Sequence, residues 1–416
     1  MELNDILHNE IKGSIDFFLD FTNLDKSSPG YGLTADSTQK PGVASIAASG
    51  STLTAWVIAV EHGYLTREKA LEITRGTLRT LLESAPHHRG FFAHFLDMQT
   101  AQRSKKCEYS TIDTALCLNG VITAMAYFND AEVSDLGQQL FDRVDWNYLV
   151  FEKDDRILFR MAYNPDRGGD YVTGEPGFIY HWSMAAEQKM MYLQAATRLD
   201  PGLARRLYQG FSRDTCDFHG QQIIVNPGGT LFVYLFSEAW MDFGRYLDPD
   251  GFDWFNNTRL AALANREFCI QQSARYRTYH ANSWGSSAGD SPWGYDVSGF
   301  EPCMVKAHHN GTVSIYTALA TLPFTPEITP GMIEYLYANH PQTWGKYGFY
   351  DAYNLDVNPP WYSHSIYGID KGCSMIMIEN YRSRLIWDIY TNSPIIQKAL
   401  DVLEFKEREG EQNEQV

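Results

Sequence analysis

The stretch YSTIDTALCLNGVITAMAYF, residues 109–128, decides the fold that this sequence predicts. Ser110 or Thr111 can cap the start of a helix, and an almost unbroken apolar run follows. YGIDKGCSMIMIENYRSRLIW, residues 367–387, repeats the arrangement near the other end of the chain. Each stretch carries an aspartate, Asp113 or Asp370, close to the start of an apolar helix. We expect both to be inner helices of a helical fold.

Helical periodicity recurs from end to end of the chain, beginning with an amphipathic first helix in residues 1–24. The predicted helices that follow cover residues 43–62, 66–83, 111–128, 131–144, 178–198, 230–244, 253–272, 312–321, 329–339 and 374–391. Alternation typical of strands is confined to pieces such as RILFRMAY (156–163) and QQIIVN (221–226). The fold class is therefore all-α, with a few short strands.

Long loops rich in Gly, Pro and aromatic residues separate these helices, and loops of this length are uncommon unless they carry function. The longest of them span residues 25–42, 84–109, 163–179, 273–309 and 341–373. No composition break divides the chain, so we expect a single domain over residues 1–405 and a solvated tail over 406–416. Paired inner and outer helices would close into a toroid with a cavity at one rim. An open α-solenoid is disfavoured, since no fixed-period motif recurs.

Composition restricts the classes of partner and the cell compartment. A formal net charge of −17 argues against binding to nucleic acid or an anionic membrane, both of which need clustered Lys and Arg. The N-terminal residues lack the basic and apolar regions of a signal peptide, and no apolar run reaches membrane-spanning length. The six cysteines form no CxxC motif, so free thiols in a reducing cytoplasm are expected. The oligomeric state is left open.

Glu187 stands out because it lies among apolar residues in HWSMAAEQKMMYLQAA, residues 181–196. In a helix over 178–198, Tyr180, Met184 and Met191 would share its face. Such surroundings raise the pKa of a carboxyl toward neutrality, and a neutral carboxylic acid can protonate a leaving oxygen. With an ionised partner carboxylate, this would suffice for glycoside cleavage. A core glutamate bonded to an arginine or a tyrosine hydroxyl is the alternative.

The other candidate acids also allow two interpretations. Asp113 and Asp370 can complement a helix dipole, or they can point into the cavity. The aromatic loops WGKYGFYDAYNLD (344–356) and NSWGSSAGDSPWGYDVSG (282–299) resemble sugar-binding rims, in which rings stack and carboxylates accept hydroxyl protons. Purely structural aromatic loops are the alternative there.

Other chemistries have no signal in the sequence. A serine nucleophile elbow, a P-loop and a GxGxxG motif before a helix are all missing. His87 and His88, like His308 and His309, are adjacent, and adjacent side chains do not converge on one metal ion. We therefore expect no metal and no cofactor.

Several motifs together resemble the glucoamylase-like domain of bacterial endo-β-1,2-glucanases, and a similar domain occurs in cyclic β-1,2-glucan synthases. They are GVASIAASGSTLTAWVIAVEHGYLTREKAL (42–71), HRGFFAHFLDMQT (88–100), EYSTIDTALCLNGVITA (108–124), EAWMDF (238–243), TVSIYTALATLPFTPE (312–327), YGFYDAYNLD (347–356) and IDKGCSMIMIENYRS (369–383). The resemblance runs from about residue 30 to about residue 400, in the same order along the chain.

The resemblance implies an (α/α)6 toroid and an inverting glycoside hydrolase of β-1,2-glucan, acting in endo mode or releasing sophorose in exo mode. It assigns Glu187 as the acid, Asp370 as the base and Asp113 as a third catalytic carboxylate that holds sugar hydroxyls. The expected substrate-binding residues are Trp182, Asp351, Asp290, Trp293, Tyr295 and Tyr347.

Departures from the family pattern include Glu238 at a histidine position and IDKGC in place of IDQGP, and we expect them to line the cleft.

Two rival functions use the same scaffold: a β-1,2-glucan transglycosylase and a non-catalytic glucan-binding protein. A toroidal sugar epimerase is weaker still, because it would need paired histidines that face the cavity.

Overall fold

The computed structural model describes residues 2–166, 175–303 and 307–408, and this part of the chain is mostly helical. Its α-helices are α1 (Leu3–Phe21), α2 (Ile46–Glu61), α3 (Arg67–Arg79), α4 (Thr111–Phe128), α5 (Ala131–Asp142), α6 (Lys189–Ala196), α7 (Pro201–Gly210), α8 (Phe236–Trp240), α9 (Trp254–Gln271), α10 (Ile315–Ala320), α11 (Thr329–Asn339), α12 (Gly368–Ser383), α13 (Leu385–Thr391) and α14 (Pro394–Leu403). The prediction of a helical chain is confirmed, and α4 has the predicted bounds.

The strands are more numerous than predicted, but nearly all are short. They are β1 (Val43–Ser45), β2 (His87–His88), β3 (Phe91–Phe92), β4 (Phe95–Asp97), β5 (Tyr109–Ser110), β6 (Val150–Lys153), β7 (Arg156–Tyr163), β8 (Phe178–His181), β9 (Thr215–Phe218), β10 (Gln221–Ile224), β11 (Tyr246–Leu247), β12 (Ala288–Gly289), β13 (Asp296–Val297), β14 (Gly299–Phe300), β15 (Ala307–His308), β16 (Val313–Ser314), β17 (Trp344–Gly345), β18 (Gly348–Phe349), β19 (Ala352–Asn354), β20 (Trp361–Tyr362) and β21 (Lys406–Glu407). Strands of two or three residues leave no alternation for a sequence pattern to show.

The strands pair as small antiparallel sheets that organise the loops. The largest has four strands, with β5, β6 and β8 all paired to β7, and Arg160 of β7 lies opposite His181 of β8. A three-stranded sheet joins β16, β19 and β20. Backbone hydrogen bonds between these strands therefore hold the long loops between helices in place and restrict the positions of their side chains.

The core is built from helices that pack in succession. α2 packs on α4, α4 on α6, α10 on α12, and α12 returns to pack on α2, while α1, α3, α5 and α7 lie against this inner set. At the α2–α4 contact a Cβ atom placed on Gly120 would lie 2.0 Å from the Gly50 carbonyl oxygen. Two helix backbones can approach this closely only where both residues lack a side chain.

Three helices of the inner set begin at one end of the molecule. The Ser45 side chain caps α2, and the Ser110 side chain caps α4 by accepting from the Asp113 N–H. α12 begins after Tyr367 and carries Asp370 in its first turn. Ser45, Asp113 and Asp370 all line one cavity, so these helix N-termini define the end of the molecule where that cavity lies.

The predicted helix over 178–198 is confirmed only for residues 189–196, and its first half is wrong. Residues 178–181 form β8, paired with β7, and Tyr180 has a φ of 39°, which a helix does not allow. The helix α6 begins only at Lys189, so Glu187 lies in the turn before it and shares no helix face with Tyr180, Met184 and Met191. Pairing with β7, a tertiary contact, overrides the local helical periodicity.

Two helices were missed, one predicted helix is split in two, and one is shorter than predicted. The missed helices α7 and α14 both start with a capping residue followed by proline, Asp200–Pro201 and Ser393–Pro394. Such a pair is a recognised sign of a helix start. The predicted segment 374–391 is split at Arg384, whose φ is 62°, and only residues 236–240 of the segment 230–244 are α-helical.

Cys216 and Cys303 form a disulfide, which corrects the expectation that all six cysteines are free thiols. The two lie 87 residues apart in sequence, so their proximity is a product of the tertiary fold. Cys107, Cys117, Cys269 and Cys373 are free.

Within the described chain, one helix, α4, is apolar and long enough to cross a membrane, but 78% of its residues in that window are buried inside the fold, as is typical of a core helix.

Candidate active site

A cavity of about 420 Å³ lies where α2, α4 and α12 begin, next to the turn that precedes α6. Its wall combines carboxyl groups with aromatic and aliphatic side chains. The lining residues are Asp36, Lys40, Ser45, His94, Phe95, Ile112, Asp113, Leu116, Glu187, Phe232, Phe236, Tyr295, Tyr316, Tyr367, Ile369 and Asp370. The three carboxyls predicted to be catalytic, Glu187, Asp113 and Asp370, are thus brought to one cavity from three separate parts of the chain.

Glu187 lies in the turn that leads into α6. The Ser237 hydroxyl donates to its carbonyl oxygen and accepts from the Met190 N–H at 3.1 Å, so α8 holds this turn. Burial raises the pKa of Glu187 to about 7, and the neighbouring Asp113 carboxylate adds to the increase because two negative charges repel. Glu187 can therefore hold its proton close to neutral pH while it faces the cavity.

Asp113 fills both of the roles that the sequence left open. It accepts from the Ser110 hydroxyl at 2.6 Å, as expected of a residue in the first turn of a capped helix, and it also lines the cavity. Its second oxygen lies 3.4 Å from Nε2 of His94. Capping and a place in the cavity are compatible because the helix N-terminus itself opens into the cavity.

His94 is a residue of the cavity wall that sequence reasoning missed. Its Nδ1 lies 2.7 Å from Glu108, and its ring stacks on Phe95. Burial acts to lower the pKa of His94, but the carboxylates of Asp113, Glu108 and Asp36 outweigh burial and raise it to about 9. The imidazolium therefore balances the acids of the wall. Its presence in the motif HRGFFAHFLDMQT was the available signal.

Asp370 and Asp351 form a carboxyl pair at the start of α12. Burial and then the negative charge of Asp351 raise the pKa of Asp370, and burial raises the pKa of Asp351 as well. Among the described residues, neither oxygen of Asp370 has a well-formed hydrogen bond, whereas Asp351 accepts from the Asp290 N–H at 2.6 Å. Two interacting carboxyls share one proton over a wide pH range, so the pair carries about one negative charge.

Two of the three tyrosines that line the cavity pack on each other near Asp370. Tyr295, 49% exposed, and Tyr367 pack edge to face at 5.0 Å, and both line the cavity. Trp293, two residues earlier, is 67% exposed. Flat faces left in contact with solvent are suited to stacking on a sugar ring.

Other residues predicted to bind substrate lie elsewhere. The Trp182 indole is buried and donates to the Thr111 hydroxyl at 3.0 Å, and the described cavity wall does not include it. Tyr347 donates to Asp20 at 3.0 Å and packs on Phe17 and Phe21 of α1.

Asp290 and Asp351 lie one layer behind the wall. Asp290 is buried and accepts from the Ser363 hydroxyl at 2.7 Å. Asp351 is buried and interacts with Asp370 and the Asp290 N–H, and the described cavity wall does not include it. Loop composition could not separate residues that face a cavity from residues that support it.

The two departures from the family pattern do not line the cavity as expected. Glu238 is fully buried and pairs with Lys189 of α6 at 3.5 Å. Lys371 is buried and donates to Glu10 of α1 at 2.7 Å and to the Phe349 carbonyl at 2.8 Å. Each departure therefore introduces a buried charge that a second charge compensates. In the ranges 2–166, 175–303 and 307–408, no group of three His, Cys, Asp or Glu is placed to hold a metal ion.

Comparison with known proteins gives a consistent set of matches. The model of the Glycoamylase family, described as "Putative glucoamylase", matches residues 179–394. The chain is 26% identical over 393 residues to an exo-β-1,2-glucooligosaccharide sophorohydrolase (non-reducing end) of Parabacteroides distasonis. That alignment covers 86% of this chain and 52% of the relative, so the chain spans about half the length of the curated relative.

Two solved structures share the fold. An endo-β-1,2-glucanase from Chitinophaga pinensis, in complex with sophorotriose and glucose, superposes with a TM-score of 0.83 at 23% identity and covers 98% of this chain and 99% of that one. A β-1,2-glucanase from Parabacteroides distasonis gives a TM-score of 0.82 at 24% identity, over 97% of this chain and 60% of that one.

Proposed function

This chain belongs to the Glycoamylase family, and we propose that it hydrolyses β-1,2-linked glucose chains or their oligosaccharides. The observation that carries the proposal is the meeting of Glu187, Asp113 and Asp370 on the wall of one cavity with tyrosine faces beside them. The relative named as a β-1,2-glucooligosaccharide sophorohydrolase supports the choice of linkage. The fold shared with β-1,2-glucanases is consistent with it.

We infer that the helices close into an (α/α)6 toroid. The return of α12 onto α2 supports a closed ring, because it joins the last long helix to the first inner one. The outer positions of α1, α3, α5 and α7 against this inner set support the pairing of inner and outer helices. In such a ring the inner N-termini surround a single hollow.

The mechanism we propose is hydrolysis with inversion at the anomeric carbon. Glu187 is protonated near neutral pH and donates its proton to the glycosidic oxygen as the bond to the anomeric carbon breaks. A water molecule attacks the same carbon from the other face, and the Asp370–Asp351 pair, which holds one negative charge, accepts the proton of that water. Asp113 and His94 hold sugar hydroxyls. One water is consumed for each bond cleaved.

The test is incubation with linear β-1,2-glucooligosaccharides of graded length, followed by chromatography of the products and NMR of the fresh anomer. We expect shorter linear products with the α-configuration at the new reducing end. Regular release of disaccharide indicates exo action, and a mixture of lengths indicates endo action.

The matched variant is Glu187→Gln, which keeps the side-chain shape but cannot donate a proton. We expect its kcat to fall by about 10²- to 10⁴-fold. Longer or cyclic products would instead support a transglycosylase. Tight binding without products would support a glucan-binding protein. Near-native turnover by the folded Gln variant would remove Glu187 from the acid role.

A further inference from the structure

A buried ion pair lies on the core side of the turn that carries Glu187. Nζ of Lys189 is 3.5 Å from Oε1 of Glu238, and the two residues are 4% and 0% exposed. The Thr258 hydroxyl donates to the same oxygen at 3.3 Å, while Oε2 has no hydrogen-bond partner among the described residues. The lysine also lies over the ring of Trp254, at 4.8 Å.

Two consecutive residues of α8 hold this turn. Ser237 is bonded to the Glu187 carbonyl and to the Met190 N–H, and Glu238 takes the ammonium group of Lys189. Every residue from 187 to 190 except Gln188 therefore has a direct contact with α8. Helix α8 therefore fixes the backbone of the turn that carries the Glu187 carboxyl, from the side opposite the cavity.

A stabilising effect on the fold does not explain why this buried ion pair is present. Removing two charges from water is unfavourable, and apolar residues of similar volume usually stabilise a core at least as well. Here the pair is also incompletely satisfied, because one carboxylate oxygen has no partner in the described part of the chain. A role in controlling the neighbouring acid accounts for both the place and the charge of the pair.

We propose that Lys189 and Glu238 are positioning residues for Glu187, which fix its turn and balance the charge that its carboxyl experiences. This assignment rests on the proposed function only in taking Glu187 as the acid. The Lys189 cation, two residues from Glu187, stabilises the ionised form of that carboxyl, and the Glu238 anion offsets the cation. Together they leave the proton affinity of Glu187 to be set by burial and Asp113.

Other charged groups face this region from the neighbouring elements. On the cavity side they are Asp113 of α4, Asp370 of α12, His94, Asp36 and Lys40. Asp242 lies beyond Glu238 and is paired with Arg384. The charged residues of α7 and α14, which also pack on α6, are exposed: Arg205, Arg206, Lys398 and Asp401. Among the described residues, Lys189 is thus the buried cation next to Glu187.

The experiment measures the titration of Glu187 directly. Protein labelled with ¹³C at the glutamate carboxyl carbons is followed by NMR against pH, and Glu187→Gln identifies the resonance by its loss. In Glu238→Gln the lysine charge is unbalanced, so the titration midpoint of Glu187 should fall by about 0.5 to 1 pH unit. In Lys189→Met it should rise by a similar amount, and in the double variant it should return toward the native midpoint.

The matched control is Lys371→Met, which breaks the other buried Lys–Glu pair, formed with Glu10 beside Asp370. It should leave the Glu187 midpoint unchanged. If Lys189→Met does not fold, the Glu187 midpoint in Glu238→Gln tests the proposal alone. This variant should fold because the amide keeps the shape of the side chain. An unchanged Glu187 midpoint in a folded Glu238→Gln protein would overturn the assignment.

The same variants have an activity readout. In the active enzyme the alkaline limb of the kcat profile should move with the Glu187 midpoint, to lower pH in Glu238→Gln. Because the NMR titration needs no turnover, failure to cleave β-1,2-glucan would count against the proposed function and leave this test intact.

Discussion

Glu187 owes its chemistry to a place in the fold where ionisation is unfavourable. Its carboxyl is half-buried, lies near another carboxylate and is supported by a turn rather than by a helix face. Its folded-state pKa of about 7 exceeds the ordinary value of 4.5, so the folded protein holds this proton more tightly than the unfolded chain does. The contribution of this carboxyl to the free energy of unfolding is therefore fully present below pH 4.5 and is lost as the pH rises through 7.

Glu187→Gln removes this pH-dependent cost, and we expect the variant to gain stability relative to the native protein as the pH rises. The gain at pH 8 should exceed the gain at pH 4 by about 1–3 kcal/mol. Thermal unfolding at the two pH values measures it. The control is Glu152→Gln, at an exposed position of β6, which should show no such trend. An equal difference at both pH values would contradict the raised pKa.

At the scale of elements, the contact between α2 and α4 controls where the cavity lies. Gly50 and Gly120 let the two backbones touch, and the N-termini of these helices carry Ser45 and Asp113 to the wall. A shift of one helix against the other would move Asp113 relative to Glu187. Small residues in the middle of a helix therefore affect the site from a distance.

Gly120→Ala tests this contact. Its Cβ would lie 2.0 Å from the Gly50 carbonyl oxygen, so the helices must separate, and we expect a net loss of about 1–3 kcal/mol despite the better helix propensity of alanine. The control is Gly331→Ala in α11, where the added Cβ finds its nearest neighbour at 3.5 Å and should be neutral or stabilising. Chemical denaturation of both proteins gives the comparison. Equal stability of the two variants would show that the α2–α4 contact tolerates a side chain.

At the scale of the whole molecule, the Cys216–Cys303 disulfide joins the β9–β10 hairpin to a loop 87 residues away. Disulfides persist mainly in oxidising compartments, so this bond points away from the cytoplasmic location expected from the N-terminus, which remains a prediction. Cross-linking distant segments also restricts the unfolded chain.

A thiol count checks the disulfide. Denatured protein without reductant should release four reactive thiols, and denatured protein with reductant should release six. Cys216→Ser is the matched variant, because it should show five thiols in both conditions. Six thiols in the denatured, unreduced protein, purified from an oxidising medium, would contradict the bond.

What the sequence by itself determined was local: the apolar helices, their caps, and the aspartates of α4 and α12 that lie at helix starts. Apolar periodicity and capping residues act within one turn of chain, so α4 could be bounded correctly and Asp113 could be singled out. Its apolar neighbours in the sequence singled out Glu187, and the family resemblance gave it the role of the acid, although the helix around it was predicted wrongly.

Only the tertiary structure decided which side chains meet. The paired strands β7 and β8 turned residues 178–181 away from a helix, and long-range contacts put Trp182 and Tyr347 into the packing instead of the cavity. The same contacts brought His94 to Asp113 and Glu238 to Lys189. Burial and charge neighbours are properties of the assembled fold, because residues far apart in sequence create them, and they set the proton affinities on which the proposed chemistry depends.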